Sequence, residues 1–260
     1  MHKNNLKSKI QKSADLSEYL SRFTRKYSFW VTLLCIRLKI HSNTITGISL
    51  LFAVLGALLQ SLTEVKYLNI SIIFILIYNM LDNVDGELAR YEKDIKKEKK
   101  GLDGSYFDAL VHYIFTPILF FSIGLAAYNT HGNEWSLWCG LIVGMWLSTY
   151  SHSASYRVLM DYIFYADHNS DTLKKVEPIW NHNKTQKESI TYKEKFYYLL
   201  RECFNTQGTI YILTCLHIIN LLFPNSFQLR FYYLYLMFGV ALFNMPRVCF
   251  VYFQQLKKIK

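Results

Sequence analysis

The segment Leu81-Asp82-Asn83-Val84-Asp85-Gly86-Glu87-Leu88-Ala89-Arg90 puts two carboxylates three residues apart at the end of an apolar run. On a helix turning about 100° per residue, Asp82, Asp85, Gly86 and Ala89 fall within roughly 100° of one face. Arg90 borders that face and Glu87 points elsewhere. An acidic side chain at membrane depth is costly and is by default a functional candidate. Here two carboxylates stand beside two residues with almost no side chain, a shape for a metal ion with something bulky pressed close to the backbone. Hard divalent cations take such oxygen ligands, and Mg²⁺ commonly bridges carboxylates and substrate phosphates. Further along, Gly104, Asp108 and His112 are spaced i, i+4, i+8 and form one stripe of a second helix. An antiparallel partner would bring Asp108 toward Asp82 and Asp85, and three carboxylates around one point repel unless a cation neutralises them.

Long apolar helices must carry these residues. The 260-residue chain is 52% hydrophobic and 17% aromatic but only 18% charged, against about 25% charged for an average globular protein. With 4 Pro and 11 Gly it is neither collagen-like nor of low complexity. Its 5 cysteines (Cys35, Cys139, Cys203, Cys215, Cys249) are scattered and form no CxxC pair. That argues against a disulfide scaffold or a structural zinc site and for reduced, structural thiols. Six apolar runs have the roughly 17 to 25 residues needed to cross about 30 Å of hydrocarbon. They are Thr44–Leu62, Tyr67 to about Gly86, about Phe107 to Tyr128, Trp135 to about Leu159, about Gln207 to Phe223, and Phe231–Phe253. The polar, basic N-terminus shows no signal-peptide core, so the first span is expected to serve as the insertion signal.

An even number of spans leaves both termini on one side. That side receives 25 of the 29 Lys and Arg, whereas the opposite loops hold only Lys66 and Arg230. The positive-inside bias therefore predicts a cytoplasmic segment 1–43, cytoplasmic loops 90–103 and 160–204, and a basic cytoplasmic tail 256–260 around a six-helix membrane domain, 44–255. The formal charge of +10 then belongs to an anionic membrane surface and not to a nucleic-acid partner. Before the first span, Leu16, Tyr19, Leu20, Phe23, Tyr27 and Trp30 share one helical stripe punctuated by Arg22, Arg25 and Lys26. The pattern predicts an amphipathic helix in the cytoplasmic interface. The expected class is all-α: a polytopic membrane protein with six transmembrane helices.

The acidic motif in this topology resembles the CDP-alcohol phosphotransferase family. Its signature is Asp-x2-Asp-Gly-x2-Ala-Arg-x8-Gly-x3-Asp-x3-Asp, lying across the end of the second and the start of the third of six transmembrane helices. Asp82, Asp85, Gly86, Ala89 and Arg90 match the first half at every position, and Gly104 and Asp108 match the second. Asn43-Thr44-Ile45-Thr46 is similar to the family's Asn-x-x-Thr opening of span one. Two features depart from the pattern. Thirteen residues, five of them lysines, separate Arg90 from Gly104 where eight are expected, which implies a five-residue insertion in the cytoplasmic turn. The last motif aspartate is His112. The resemblance implies phosphoryl-group transfer: a CDP-linked donor (CDP-diacylglycerol or a CDP-linked headgroup), an alcohol acceptor, release of CMP, and two divalent ions, Mg²⁺ or Mn²⁺. It implies Asp82, Asp85 and Asp108 as metal ligands, His112 in the place of the base, and Gly86, Ala89, Arg90, Gly104 and Asn43 around the nucleotide. A homodimer is compatible with it. At His112 three readings stand open: a neutral imidazole acting as base near pH 7, a ligand to a softer ion such as Mn²⁺, or a degenerate site.

Other residues carry weaker signals. Arg157 and Arg247, at the inner ends of spans four and six, read either as phosphate contacts or as arginines reaching the lipid headgroups. His152 reads as a hydrogen-bonded core histidine, and the lysines within 93–100 as a solvated face drawn to anionic lipid. Two further functions compete with the transferase reading. A prenyltransferase-like enzyme also carries aspartate-rich membrane helices, though usually two such motifs, and a cation transporter would favour internal repeats and broken helices, which this sequence lacks.

Overall fold

The computed structural model describes residues 10–11, 21–96, 103–151, 205–223 and 229–259. These contain seven helices and no strand: α1 (Ser21–Arg37), α2 (Ser42–Leu59), α3 (Val65–Asp94), α4 (Asp103–His131), α5 (Trp135–Ser151), α6 (Thr206–Leu222) and α7 (Leu229–Ile259). Among the described residues, three helical stretches are long and apolar enough to cross a membrane: Ser42–Leu59, Val65–Lys93 and Phe107–His131. The apolar stretches Trp135–Ser148 and Thr206–Leu222 are shorter. The described part of every expected span falls on a helix, but among the described residues only the first three meet the length and hydropathy of a membrane crossing. The last third of the fourth expected span, with His152 and Arg157, lies outside the described residues, as does the loop 160–204.

Local chemistry sets the helix ends. The backbone N–H of Ser42 donates to Glu92 Oε1 at 3.0 Å and its hydroxyl to Glu92 Oε2 at 2.8 Å. A carboxylate from α3 thus caps α2, where unpaired N–H groups and the helix dipole favour an anion. α4 stops at Gly132, whose φ of 68° suits a residue with no Cβ and whose N–H returns to Tyr128 O at 2.7 Å. Asn205 opens α6 by accepting from Gly208 N at 2.7 Å.

The helices pack around an apolar centre that includes Ala57, Ile75, Tyr78, Phe115, Phe120, Ile123, Leu147, Ile210 and Leu234. α2 lies against both α3 and α4, and α5 against α4 and α7. The α4–α5 contact is the tightest kind available to helices. Ser136, Gly140 and Gly144 recur every four residues along α5. A Cβ on Gly140 would lie 2.5 Å from the Phe120 carbonyl oxygen, and one on Gly144 would lie 2.7 Å from Pro117 Cα. Small residues at this spacing let backbones touch where lipid offers no hydrophobic drive between helices. The outer faces stay apolar: Ile48, Leu51, Leu55 and Leu58 on α2, and Trp138, Leu141 and Met145 on α5, are exposed. Apolar outer faces of this kind suit contact with hydrocarbon.

α1 shows how the two faces of an amphipathic helix are used. Tyr27, Trp30, Leu34 and Leu38, at helical spacing, are all more than half exposed. Tyr27 and Trp30 belong to the stripe read as facing the membrane interface, while Leu16, Tyr19 and Leu20 lie outside the described residues. The opposite face carries Ser28, Thr32 and Cys35 and is buried on α3.

Candidate metal centre

Polar side chains of α3 and α4 converge at one point between the two helices. Asp82 on α3 and Asp108 and His112 on α4 converge so that one ligand atom of each lies within 4.8 Å of the others. His112 Nε2 stands 3.3 Å from Asp82 Oδ1 and 3.7 Å from Asp108 Oδ1. Its other ring nitrogen, Nδ1, is 2.8 Å from the hydroxyl of Tyr78. The Tyr78 ring is fully buried and packs on Phe115 with centroids 4.5 Å apart. The imidazole is therefore held from behind by a rigid phenol, with its second nitrogen turned toward both carboxylates. The Asp108 side chain is 54% exposed, so the cluster opens on that side.

Asp85 sits one turn further along α3 and is buried. Its Oδ2 accepts from the hydroxyl of Thr46 on α2 at 2.9 Å, and that one proton is shared with the Ser42 carbonyl 3.1 Å away. Of the three expected metal ligands, Asp82 and Asp108 thus share the cluster with His112, whereas Asp85 is tied to α2. Thr46 is the last residue of the Asn43–Thr46 motif, and its purpose in this fold is to hold that carboxylate. Asn43 itself is exposed in the first turn of α2; among the described contacts, nothing brings it onto these acids.

The remaining motif residues line α3. Gly86, Ala89 and Arg90 are half-buried, and the Arg90 guanidinium lies over Gly86, 3.5 Å from the position a Cβ would take. Arg90 Nε donates to the backbone carbonyl of Ile10. Gly104 lies in the first turn of α4.

Glu87, read as pointing away from the acidic face, points into the protein. It is buried and accepts from Ser28 Oγ at 2.7 Å, Thr32 Oγ1 at 2.6 Å and Gln11 Nε2 at 2.9 Å. Two donors of α1, Ser28 and Thr32, converge on this carboxylate and fasten α1 to the helix that bears Asp82 and Asp85, with Gln11 joining from ahead of α1. Asn83, on the neighbouring face, donates to Thr24 Oγ1 at 3.3 Å, and Asn79 to the Tyr211 hydroxyl at 3.2 Å, so α6 joins the same polar seam. Tyr78 and Glu92 went unread in the sequence. Tyr78 lies four residues before Asp82, on the same helical face, and that register was the available signal. For Glu92 the partner is remote in sequence and no local pattern marks it.

The donor set suits a divalent cation. Two cis ligands about 2.1 Å from an octahedral ion lie about 3 Å apart, close to the 3.3 Å between His112 Nε2 and Asp82 Oδ1. A cation would also offset three nearby carboxylates in a partly buried setting. Compared with protein-family models and with curated proteins, the chain finds no match.

Proposed function

We propose that this protein is a membrane enzyme that transfers a substituted phosphate group from a CDP-linked donor to an alcohol hydroxyl. The observation that carries the reading is the convergence of Asp82, Asp108 and His112 in a gap between two apolar helices. It is supported by the match of Asp82, Asp85, Gly86, Ala89, Arg90, Gly104 and Asp108 to one motif. In the reaction the acceptor oxygen bonds to the donor's distal phosphorus, the bond from that phosphorus to the bridging oxygen breaks, CMP leaves, and the hydroxyl proton passes to a base. Divalent cations held by Asp82 and Asp108, with Asp85 and His112 beside them, would neutralise the diphosphate and stabilise the leaving group.

The chain's own residues prepare the site. Thr46 fixes Asp85, Tyr78 fixes His112, and Glu87 and Glu92 fix α1 and α2 to the same stretch of α3. Preorganised polar groups of this kind favour charge development without reorganisation. Gly86 adds a separate argument. A glycine inside a helix costs about 1 kcal/mol relative to alanine, yet among the described residues a Cβ there would meet the Arg90 guanidinium alone, at ordinary contact distance. Among the described residues no packing contact calls for the glycine, and a ligand lying close against the helix would. Arg90 beside it is suited to phosphate oxygens.

The same reading includes six membrane spans, cytoplasmic termini and a cytoplasmic site, supported by the 25 to 2 distribution of Lys and Arg. The test is to incubate purified protein with radiolabelled CDP-donors, both CDP-diacylglycerol and CDP-linked headgroups, and candidate alcohols, and to follow CMP. The expected result is CMP release that needs both acceptor and divalent ion. Release undiminished in excess chelator, or no release with any donor class while the protein is folded, would overturn the proposal.

A further inference from the structure

We infer that His112 is a ligand of the metal centre and not its base, that Tyr78 is the positioning residue that aims it, and that the resulting oxygen–oxygen–nitrogen set selects Mn²⁺ over Mg²⁺. The inference rests on the metal-dependent reading above and specifies the ion. Three observations carry it. His112 Nε2 faces two carboxylates from two helices, at 3.3 Å and 3.7 Å. The 3.7 Å separation is too long for an N–H···O bond, whose usual range is about 2.7 to 3.2 Å, and the 3.3 Å separation is close to the roughly 3 Å between neighbouring ligands of one ion. The second ring nitrogen is occupied, 2.8 Å from the Tyr78 hydroxyl. A histidine bound to metal through one nitrogen characteristically makes such a bond through the other, which sets its tautomer and ring angle. Finally, the phenol cannot turn away: Tyr78 is 1% exposed and wedged against Phe115.

The ion follows from the donors. Carboxylate oxygens serve Mg²⁺ and Mn²⁺ alike, but imidazole raises affinity along the first transition row, and Mg²⁺ gains little from a nitrogen ligand. A histidine where an all-oxygen set would place a fourth carboxylate therefore shifts the preference toward Mn²⁺. It also removes one negative charge from a partly buried cluster, which lowers the repulsion the ion must offset.

The experiment uses the full chain in nanodiscs, with Mn²⁺ as probe and magnetic resonance as readout. Free Mn²⁺ is titrated by its solution signal, Mg²⁺ is used as competitor, and pulsed measurements look for nitrogen coupling to the bound ion. Wild-type protein is expected to bind Mn²⁺ with a clear ¹⁴N coupling and to prefer it over Mg²⁺ at least tenfold. Tyr78→Phe should retain the nitrogen coupling but lose roughly 10- to 100-fold in Mn²⁺ affinity, the usual effect of removing an outer partner of a ligand. His112→Asp, which restores an all-oxygen set, should abolish the coupling and cut the Mn²⁺/Mg²⁺ ratio about tenfold. Mn²⁺ bound to wild-type protein without nitrogen coupling, or a ratio unchanged in His112→Asp, overturns the inference while leaving metal-dependent transfer intact. No binding of either ion, together with CMP release in chelator, overturns both.

Discussion

Removing the Glu87 carboxylate should release α1 from the helices it packs on without touching any acid of the candidate metal centre. Glu87 accepts three bonds, from Ser28, Thr32 and Gln11, and a hydrogen bond to a charged group is worth about 1.5 to 3 kcal/mol. The full sum overstates the loss. Ser28 also reaches Arg25 O at 3.2 Å and Thr32 reaches Ser28 O at 3.0 Å, so both hydroxyls keep an acceptor, and a buried carboxylate is no longer desolvated. A net loss of about 3 kcal/mol remains, or roughly two powers of ten in the equilibrium between docked and undocked α1. Cys35 is a built-in reporter. It lies on the same face as Ser28 and Thr32, is only 5% exposed, and burial pushes its thiol above the ordinary cysteine value, so it reacts slowly while α1 is docked. In a background lacking the other four cysteines, maleimide labelling of Cys35 should speed up about 100-fold in Glu87→Ala, with Glu87→Gln in between. An unchanged labelling rate in Glu87→Ala would refute the reasoning and show that the other contacts of α1 suffice to hold it.

Other consequences are equally direct. Asp82→Asn and Asp108→Asn should each reduce CMP release by at least 100-fold and weaken Mn²⁺ binding, while the purified proteins still elute as folded species on size exclusion. Gly86→Ala should melt at or slightly above the wild-type temperature, since among the described residues its Cβ meets Arg90 alone, yet lose most turnover; full activity would show that no ligand approaches the helix there. Gly144→Ala, whose Cβ would lie 2.7 Å from Pro117 Cα, should cost about 1 to 3 kcal/mol through overpacking, read as a lower midpoint of thermal unfolding in detergent. Single cysteines placed at position 97 and in the 256–260 tail should react with impermeant reagent only from the cytoplasmic side, and labelling from outside would reverse the topology.

Local periodicity made much of this chain legible. The helical positions follow from runs of apolar residues too long for anything but a helix in a medium without water, and the clustering of Asp82, Asp85, Gly86 and Ala89 follows from the geometry of a single turn. The stripe of Gly104, Asp108 and His112 follows in the same way, as does the outward, apolar side of α1 at Tyr27 and Trp30. What one helix presents to another could not be read so simply. Hydropathy does not orient a helix whose lipid-facing and core-facing sides are both apolar; packing and polar contacts do. Only the assembled bundle separates Asp85, bound by Thr46, from the cluster of Asp82, Asp108 and His112. Only there does Tyr78 become the backing of His112. The small residues of α5 looked like ordinary apolar sequence until their contact with Pro117 and Phe120 gave them a reason. Ser28, Thr32 and Glu87 show the difference most plainly. As isolated polar residues they suggest solvated positions, yet all three are buried, because three hydrogen bonds converging on one carboxylate replace the water each had to give up.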